Sequence, residues 1–315
     1  MQGESRGPIT AYINSRGGNI HQARTLESLL RAPGIDGEPS CRLITVVPAL
    51  AASAAALMLA SGDYVIALPE SRILFHGTRI AQTETVTTEA ASELSWTLRA
   101  LNEDHATKLL KRIQVRMMFR LIMTSAAFEG SKLDAEAFFG LIKSRLSGGG
   151  SAVFDSARER CARYRQLLRC VRDQDGTAAS EAKMLKAIVS FELRTNKLVP
   201  GWSFRGLGLP QVTSDFYLVS EHLASSAESF ATFYKRWSRF LEEAGDEELD
   251  QLWIFVVAFC HVLQAGEHVL TASDAFWLGI VDEVVGLNEL TQRQVVEYQP
   301  EASEPPAPQD VSTAE

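Results

Sequence analysis

The N-terminal part of the chain alternates between short apolar segments and helical ones. Four segments rich in β-branched and aromatic residues are predicted as strands: ITAYIN from Ile9, RLITVV from Arg42, YVIAL from Tyr64 and RILFH from Arg72. Two segments rich in good helix formers lie between them: NIHQARTLESLLRA from Asn19 and SAAALMLAS from Ser53. This alternation predicts an α/β fold with parallel strand pairing.

A long amphipathic helix is predicted next, from Thr87 to about Met123. Its apolar positions recur mostly every three or four residues: Leu94, Leu98, Leu101, Leu109, Ile113, Met117 and Leu121. Arg112, Arg116 and Arg120 line another face of this helix. We interpret that basic face as solvated or as a subunit contact rather than as a nucleic-acid surface, because three like charges need acidic partners nearby.

Helical patterns continue beyond this helix and then give way to a strand. The glycine-rich SGGGS from Ser147 and the turn-rich segment 200–210 interrupt them. The aromatic and basic residues of 229–245 have the spacing of a helix packing face. The helix that starts at Asp246 is apolar on all sides, which predicts that it is buried. A short helix ending at Gly279 and a strand, IVDEVV, follow it.

These patterns divide the chain into four parts. We predict an α/β core over 1–123, a large helical insertion over 124–260, a second piece of the core over 261–290 and a tail over 291–315. The tail places four prolines among small and acidic residues, which cannot bury a core. It is therefore predicted to be disordered.

Length and composition narrow the class of protein. The chain has 315 residues and a formal net charge of −8, and five acids follow its last basic residue, Arg293. This acidic balance gives no indication of a nucleic-acid partner. The four cysteines lack the spacing of a zinc site or a disulfide framework, so we expect no metal, no cofactor and a reducing, cytoplasmic location. The longest apolar run, 252–263, is too short to span a bilayer, so no membrane association is expected.

A serine stands alone in the alanine-rich segment that opens the second helix. Ser53 lies at the helix N-terminus, where unpaired backbone N–H groups and the helix dipole stabilise a developing oxyanion. The small neighbours leave room for a substrate backbone, the N–H of Ala54 is one candidate donor, and the Gly17–Gly18 turn offers a second. The alternative is a plain helix cap, since serine is among the preferred N-cap residues.

A histidine closes the strand that follows this helix. His76 ends RILFH, and the ends of parallel strands in an α/β sheet meet at one crevice. A lone histidine is more often structural than catalytic. The combination of a serine, a histidine and a glycine turn at successive connections favours a nucleophilic site.

These segments resemble one family. YINSRGGNI is similar to the glycine-loop motif of the Clp protease proteolytic subunit (ClpP) family, LAASAAALMLASG to its nucleophile motif and ALPESRILFHG to its histidine motif. The three motifs stand in the family's order with approximately its spacing. The resemblance implies a serine peptidase of the ClpP/crotonase superfamily, folded as a spiral of strand-strand-helix units.

The resemblance also implies a role for each site residue. Ser53 would be the nucleophile, His76 the general base, and the backbone N–H groups of Gly18 and Ala54 the oxyanion hole. The segment EHVLTASDAFWLGIVDEVV looks like the family's C-terminal motif and puts Glu267 where the family has the aspartate of its triad. Glutamate can also accept from a histidine ring N–H. The alternative for Glu267 is a solvated acid at the start of a short helix, with His268 beside it at the surface.

Two departures from the family shape the functional hypotheses. The chain begins almost at the first motif, so we expect the family's preceding strand and helix to be missing or to be supplied by another segment or subunit. The separation of His76 and Glu267 is also far longer than in the family, because the helical insertion lies between them.

The leading hypothesis is a ClpP-like serine endopeptidase that hydrolyses unfolded polypeptides. The resemblance implies a homo-oligomeric ring and a partner ATPase of the AAA+ unfoldase class. The second hypothesis is a catalytically silent ClpP-like subunit that assembles with an active paralogue in a mixed ring. A crotonase-type acyl-CoA enzyme is a third reading, which the Ser53 and His76 motifs disfavour.

Overall fold

The computed structural model describes residues 8–33, 41–79, 87–124, 135–172 and 246–287, which form seven helices and two β-sheets. The strands are β1 (Ile9–Tyr12), β2 (Leu43–Val47), β3 (Leu50–Ala52), β4 (Tyr64–Ala67), β5 (Arg72–His76), β6 (Glu267–Thr271) and β7 (Glu283–Val284). The helices are α1 (Ile20–Leu30), α2 (Ala54–Ala60), α3 (Thr88–Thr124), α4 (Ala135–Lys143), α5 (Gly148–Arg172), α6 (Asp246–Leu263) and α7 (Ala272–Trp277). The prediction of a mixed α/β fold is confirmed.

The larger sheet contains the strands that the sequence pattern predicts. Its order is β1-β2-β4-β7 and every pair in it is parallel. The central strands β2 and β4 are covered on both faces, which explains why Leu43–Val47 reads as a continuous apolar run. The C-terminal strand β7 pairs with β4, so the two ends of the described chain share this sheet.

The smaller sheet carries the candidate site and departs from the predictions. Its order is β3-β5-β6. β3 and β5 pair in parallel, as the N-terminal alternation predicts, whereas β5 and β6 form an antiparallel pair that the sequence pattern does not indicate. Leu50–Ala52 forms β3, a strand that the sequence pattern does not predict. Glu267 begins β6 and not a short helix, so the helix of that alternative is wrong, whereas the solvated acid agrees with a side chain that is more than half exposed. Both missed strands form because β5 offers hydrogen-bonding edges on its two sides.

The helices pack into one core with the sheets. α5 lies along α6, and α6 also packs against α3 and α4. The side chains of Phe139, Phe154 and Phe255 meet in this layer, with ring centroids 4.8 to 6.2 Å apart. Residues 252–260 of α6 are buried throughout, which confirms the prediction for that helix.

The basic face of α3 is not solvated. Arg112 and Arg116 are 6% and 8% exposed and both donate to Asp282, which is fully buried. Arg112 also donates to the carbonyl of Ile280 (2.8 Å) and Arg116 to that of Asp63 (2.9 Å). The interpretation of these two arginines as a solvated face or subunit contact is therefore wrong. Their acidic partner lies in the C-terminal strand segment, far away along the chain.

The glycine-rich first turn of α5 and the preceding Ser147 pack against the C-terminal segment. The buried carboxylate of Asp274 accepts from the N–H and the hydroxyl of Ser147, both at 2.7 Å. A side chain on Gly150 would meet this carboxylate at 2.6 Å, so the contact needs glycine. Burial acts to raise the pKa of Asp274, but the hydrogen bonds from Ser147 and Thr271 outweigh it and leave the pKa below its usual value.

Three sequence predictions fall outside the described residues: the turn-rich segment 200–210, the aromatic and basic segment 229–245, and the tail over 291–315. Within the described ranges, none of the helices combines the length and the apolar character that a bilayer span requires.

Candidate active site

Ser53 occupies a sharp turn between β3 and α2. Its φ is 57° and its ψ is −126°, which makes it the one non-glycine residue with a positive φ in the described part of the chain. Its N–H donates to the carbonyl of Leu74 on β5 at 2.8 Å, which holds the turn against that strand. The hydroxyl makes no cap hydrogen bond to α2, so the alternative of a helix-capping side chain is wrong. A strained serine at a strand-to-helix turn is typical of a hydrolase nucleophile.

The glycine turn lies directly against this serine. Gly17 has a φ of 90°, and a Cβ on it would meet the carbonyl oxygen of Ala52 at 2.4 Å and the Cβ of Ser53 at 2.7 Å. Only glycine permits this approach. The same point is 3.2 Å from the backbone nitrogen of Ala54. The turn and the first residue of α2 are therefore neighbours.

Two backbone donors of this region have no acceptor. Among the described residues, neither the N–H of Gly18 nor that of Ala54 donates a hydrogen bond. A bridge between β3 and the turn fixes their relative position, because Ser15 donates to the carbonyl of Leu50 at 2.8 Å and accepts from Ala52 at 3.0 Å. Two fixed and unused N–H groups beside a serine hydroxyl can bind an oxyanion.

His76 ends β5 on the partly exposed face of the smaller sheet. β3 and β5 run in parallel register, with Ala52 opposite Leu74, so Ser53, one residue after Ala52, and His76, two residues after Leu74, lie at the same end of the two strands. The Nδ1 atom of His76 lies 2.6 Å from the carbonyl oxygen of Gly77. Because a carbonyl only accepts, Nδ1 carries the proton and Nε2 keeps its lone pair. No hydrogen bond joins the Ser53 hydroxyl to His76 within the described ranges.

Glu267 lies directly opposite His76 in the antiparallel register of β5 and β6. Residues opposite each other in such a pair project to the same face of the sheet. Its carboxylate accepts from Nη2 of Arg79 at 2.6 Å, and both side chains are more than half exposed. The hydrogen bond from Arg79, and then the charge of Arg79, lower the pKa of the Glu267 carboxyl. Glu267 is therefore an ionised acid beside His76 that is already engaged by a cation.

The loop after His76 is held by the first part of α3. The side-chain oxygen of Asn102 accepts from the N–H of Thr78 at 2.8 Å. A Cβ on Gly77 would meet the carbonyl oxygen of Gln264 at 2.7 Å, so the loop runs close to the end of α6. This packing fixes the Gly77 carbonyl that orients the histidine ring.

The structure places the glycine turn against Ser53 and Ala54, and it pairs His76 with Glu267 on the strands beside β3. It also adds two groups that the sequence did not indicate. The carbonyl of Gly77 and the guanidinium of Arg79 contact His76 and Glu267 respectively. A backbone carbonyl has no sequence signal, and Arg79 is one of many exposed arginines. His268, expected at the surface, is half-buried and its Nε2 donates to the carbonyl of Val262 at 2.8 Å.

A protein-family model matches the part of the chain that contains Ser53 and His76. The family model described as Clp protease matches residues 2–125. This part of the chain is similar to the Clp protease family. The Clp protease match contains Gly18, Ser53, Ala54 and His76, whereas Glu267 lies outside it. No curated protein sequence matches the chain.

Within the described ranges, no group of three or more histidine, cysteine, aspartate and glutamate side chains is arranged to hold a metal ion. The groups available for chemistry at this edge are the hydroxyl of Ser53, the ring of His76, the carboxylate of Glu267 and the two backbone donors. This set suits acyl transfer.

Proposed function

We propose that the chain is a ClpP-like serine endopeptidase with Ser53 as nucleophile, His76 as general base and Glu267 as the acid. What supports the proposal most is the turn at Ser53. A residue with a side chain stands there at a φ of 57°, the glycine turn is packed onto it, and a histidine with a free Nε2 ends the neighbouring strand. Serine hydrolases place their nucleophile in the same way.

In the first step the Ser53 hydroxyl attacks the carbonyl carbon of the scissile peptide bond. Nε2 of His76 takes the hydroxyl proton, and the tetrahedral oxyanion accepts hydrogen bonds from the N–H groups of Gly18 and Ala54. The C–N bond then breaks as the imidazolium donates its proton to the leaving amine. An acyl ester on Ser53 remains.

In the second step a water molecule replaces the amine. His76 removes a proton from the water, the resulting tetrahedral species uses the same two donors, and the acid product leaves as Ser53 recovers its proton. In this mechanism the Gly77 carbonyl holds the ring orientation throughout. Glu267 stabilises the imidazolium through its charge from the opposite strand, and Arg79 weakens that effect.

The substrates, the assembly and the location are extensions of the same proposal. Resemblance to the Clp protease family implies unfolded polypeptide substrates, a homo-oligomeric ring and a partner ATPase of the AAA+ unfoldase class. We place this activity in the cytoplasm.

A fluorophosphonate probe tests the proposal directly. We expect the wild-type chain to form a covalent adduct at Ser53, detected by mass spectrometry of the labelled peptide. Ser53→Ala should not be labelled, and Ser61→Ala, which removes a hydroxyl at the other end of α2, should be labelled normally. Equal labelling of wild-type and Ser53→Ala protein would overturn the proposal.

A second candidate is the catalytically silent subunit of a mixed ring. One observation favours it, namely that Glu267 binds Arg79 while Nδ1 of His76 binds the Gly77 carbonyl, so the hydrogen bond of a complete triad is not made. Purification of the tagged chain from its native host discriminates between the two candidates. A silent subunit should copurify with a second ClpP-like chain that alone reacts with the probe, whereas an active peptidase should itself react.

A further inference from the structure

A cavity of about 400 Å³ opens beside the candidate nucleophile, between α1, α2 and α3. It is bordered by Ala54, the residue after Ser53, and by Ile20, the second residue after Gly18. A peptide whose carbonyl oxygen binds the N–H groups of Gly18 and Ala54 therefore has this cavity next to the side chain on the acyl side of the scissile bond.

The walls of the cavity differ in character. The α2 wall is apolar near its start, with Ala54, Leu57 and Met58. The walls from α1 and α3 are basic, since Arg24, Arg31, Lys108, Arg112 and Arg116 line them against two acids, Glu27 and Asp63. An occupant with an aliphatic stem and an anionic end fits this division.

Most of these charges are already paired. Arg31 donates to Asp63 at 2.9 Å, and Lys108 lies 3.5 Å from Glu27. The buried pair on α3 is bound to Asp282. The remaining cation, Arg24, uses its Nη2 to donate to Asp104 and lies 3.5 Å from Nε2 of His105.

Two buried donors at the basic wall have no acceptor. Nε of Arg24 and Nδ1 of His105 make no hydrogen bond within the part of the chain that the structure describes, and His105 is only 3% exposed. Because Arg24 can only donate, Nε2 of His105 is the acceptor in their contact and Nδ1 carries the hydrogen. Burial, and then the charge of Arg24, lower the pKa of His105 to about 4, so this neutral form holds near pH 7. Leaving two buried N–H groups without partners is costly unless a ligand supplies an acceptor.

We propose that this cavity receives the side chain on the acyl side of the scissile bond and selects glutamate there, with the carboxylate accepting from Arg24 and His105. The inference rests on the proposed peptidase function and deepens it. Glutamine has the same size as glutamate and an equivalent acceptor oxygen. The net positive charge of the lining therefore favours glutamate over glutamine. The apolar wall beside Ala54 and Leu57 packs against its methylene groups.

Three fluorogenic peptides that differ at one position test the proposal. They carry glutamate, glutamine or leucine immediately before an aminocoumarin amide. We expect kcat/KM for the glutamate peptide to exceed that for the glutamine peptide by about tenfold or more, because the carboxylate pairs its charge with the Arg24 guanidinium and the amide of glutamine carries no charge. Equal values, or a preference for leucine, would overturn the selectivity.

A matched pair of variants locates the selectivity. Arg24→Met removes the charge of a partly exposed side chain and keeps much of its volume, and it should abolish the preference for glutamate over glutamine. Arg99→Met, on the exposed face of α3, changes net charge equally and should keep the preference. His105→Leu should also lower the preference for glutamate over glutamine. A preference that survives Arg24→Met would contradict the assignment.

Failure of the selectivity can be told from failure of the peptidase function. Fluorophosphonate labelling of Ser53 reports on the nucleophile and not on the cavity. Binding of labelled peptides ending in glutamate or glutamine to Ser53→Ala protein, measured by fluorescence anisotropy, reports on the cavity without catalysis. Labelling without a glutamate preference in either assay would overturn this inference alone, whereas absent labelling would overturn the proposed function.

Discussion

Two charged clusters join the segment that the Clp protease model matches to the C-terminal segment, one at the surface and one in the core. We call them the exposed cluster (His76, Arg79 and Glu267) and the buried cluster (Arg112, Arg116 and Asp282). In each cluster, side chains of the N-terminal part pair with an acid that is close to them in space and far from them along the chain. They differ in what can replace a lost partner.

In the buried cluster nothing can replace a partner. Asp282 accepts from Arg112, from Arg116 at 2.5 Å and from the N–H of Val65 at 2.8 Å, and water has no access to it. In the exposed cluster water can solvate Arg79 or Glu267, and the histidine has the Gly77 carbonyl as a second partner. The buried acid therefore maintains the fold, whereas the exposed acid can be substituted or change its partner with little structural cost.

The largest expected effect follows from removing the buried charge. Asp282→Asn leaves two arginines without a counter-charge in the core, and we expect the free energy of unfolding to fall by about 3–5 kcal/mol. Urea unfolding measures it. Glu283→Gln is the matched control, because its neighbouring carboxylate is partly exposed and accepts only from the Tyr64 hydroxyl among the contacts described, at 2.9 Å. Similar losses for both variants would contradict the comparison.

A buried histidine should make the stability of the fold depend on pH. Burial, and then the charge of Arg160, lower the pKa of His261 from 6.5 to about 4, and the Tyr164 hydroxyl lies 2.7 Å from its Nδ1. Below pH 6.5 the unfolded chain binds a proton that the folded chain does not. The free energy of unfolding should therefore fall between pH 6.5 and 4, by up to about 1.4 kcal/mol per pH unit from this residue.

Urea unfolding at several pH values checks this expectation. His261→Gln should make the decline shallower, while His105, whose pKa is also lowered by burial, keeps a residual slope. His21→Gln, on the exposed surface of α1, should leave the slope unchanged. An unchanged slope in His261→Gln would show that this histidine does not titrate as its burial requires.

The exposed acid should matter less than a triad acid usually does. We expect Glu267→Gln to slow fluorophosphonate labelling by about tenfold or less, because the Gly77 carbonyl still orients the histidine. Loss of the hydrogen-bonded acid in a serine protease triad costs roughly ten-thousandfold. A loss of that size here would mean that Glu267 leaves Arg79 and binds His76 during the reaction. His76→Ala serves as the reference for complete loss of the base.

The smallest effect is expected at the cation. Arg79→Gln frees Glu267 and should raise the labelling rate about threefold. The gain is small because the ion pair is exposed, so its removal strengthens the charge stabilisation of the His76 imidazolium only modestly. Arg72→Gln, an exposed arginine at the other end of β5, should not change the rate. A slower rate in Arg79→Gln would indicate that Arg79 positions the acid for catalysis.

Local patterns predict the elements whose own residues favour them. The strands β1, β2, β4 and β5 and the helix α3 follow from apolar periodicity and agree with the structure. β3 was missed because alanine has a low preference for strands, and Leu50–Ala52 is extended only through pairing with β5 and Ser15. The sequence does not predict β6 either, because its pairing partner β5 is distant along the chain.

The same distinction between local patterns and tertiary contacts applies to the candidate active site. The motifs around Ser53 and His76 locate the two reacting groups, because each lies in a short segment with its own glycine or alanine signature. The engagement of Glu267 by Arg79 depends on how β5 and β6 align, which no local pattern encodes. The burial of Arg112 and Arg116 likewise depends on Asp282 reaching them through tertiary packing.

The backbone at Ser53 has one further consequence for stability. A φ of 57° costs a residue with a side chain on the order of 1–3 kcal/mol, whereas glycine adopts it freely. The turn would therefore be thermodynamically better served by glycine, and the serine is maintained at the expense of the folded state. Glycine at position 53 would favour a more heat-resistant protein, whereas an active enzyme needs serine there.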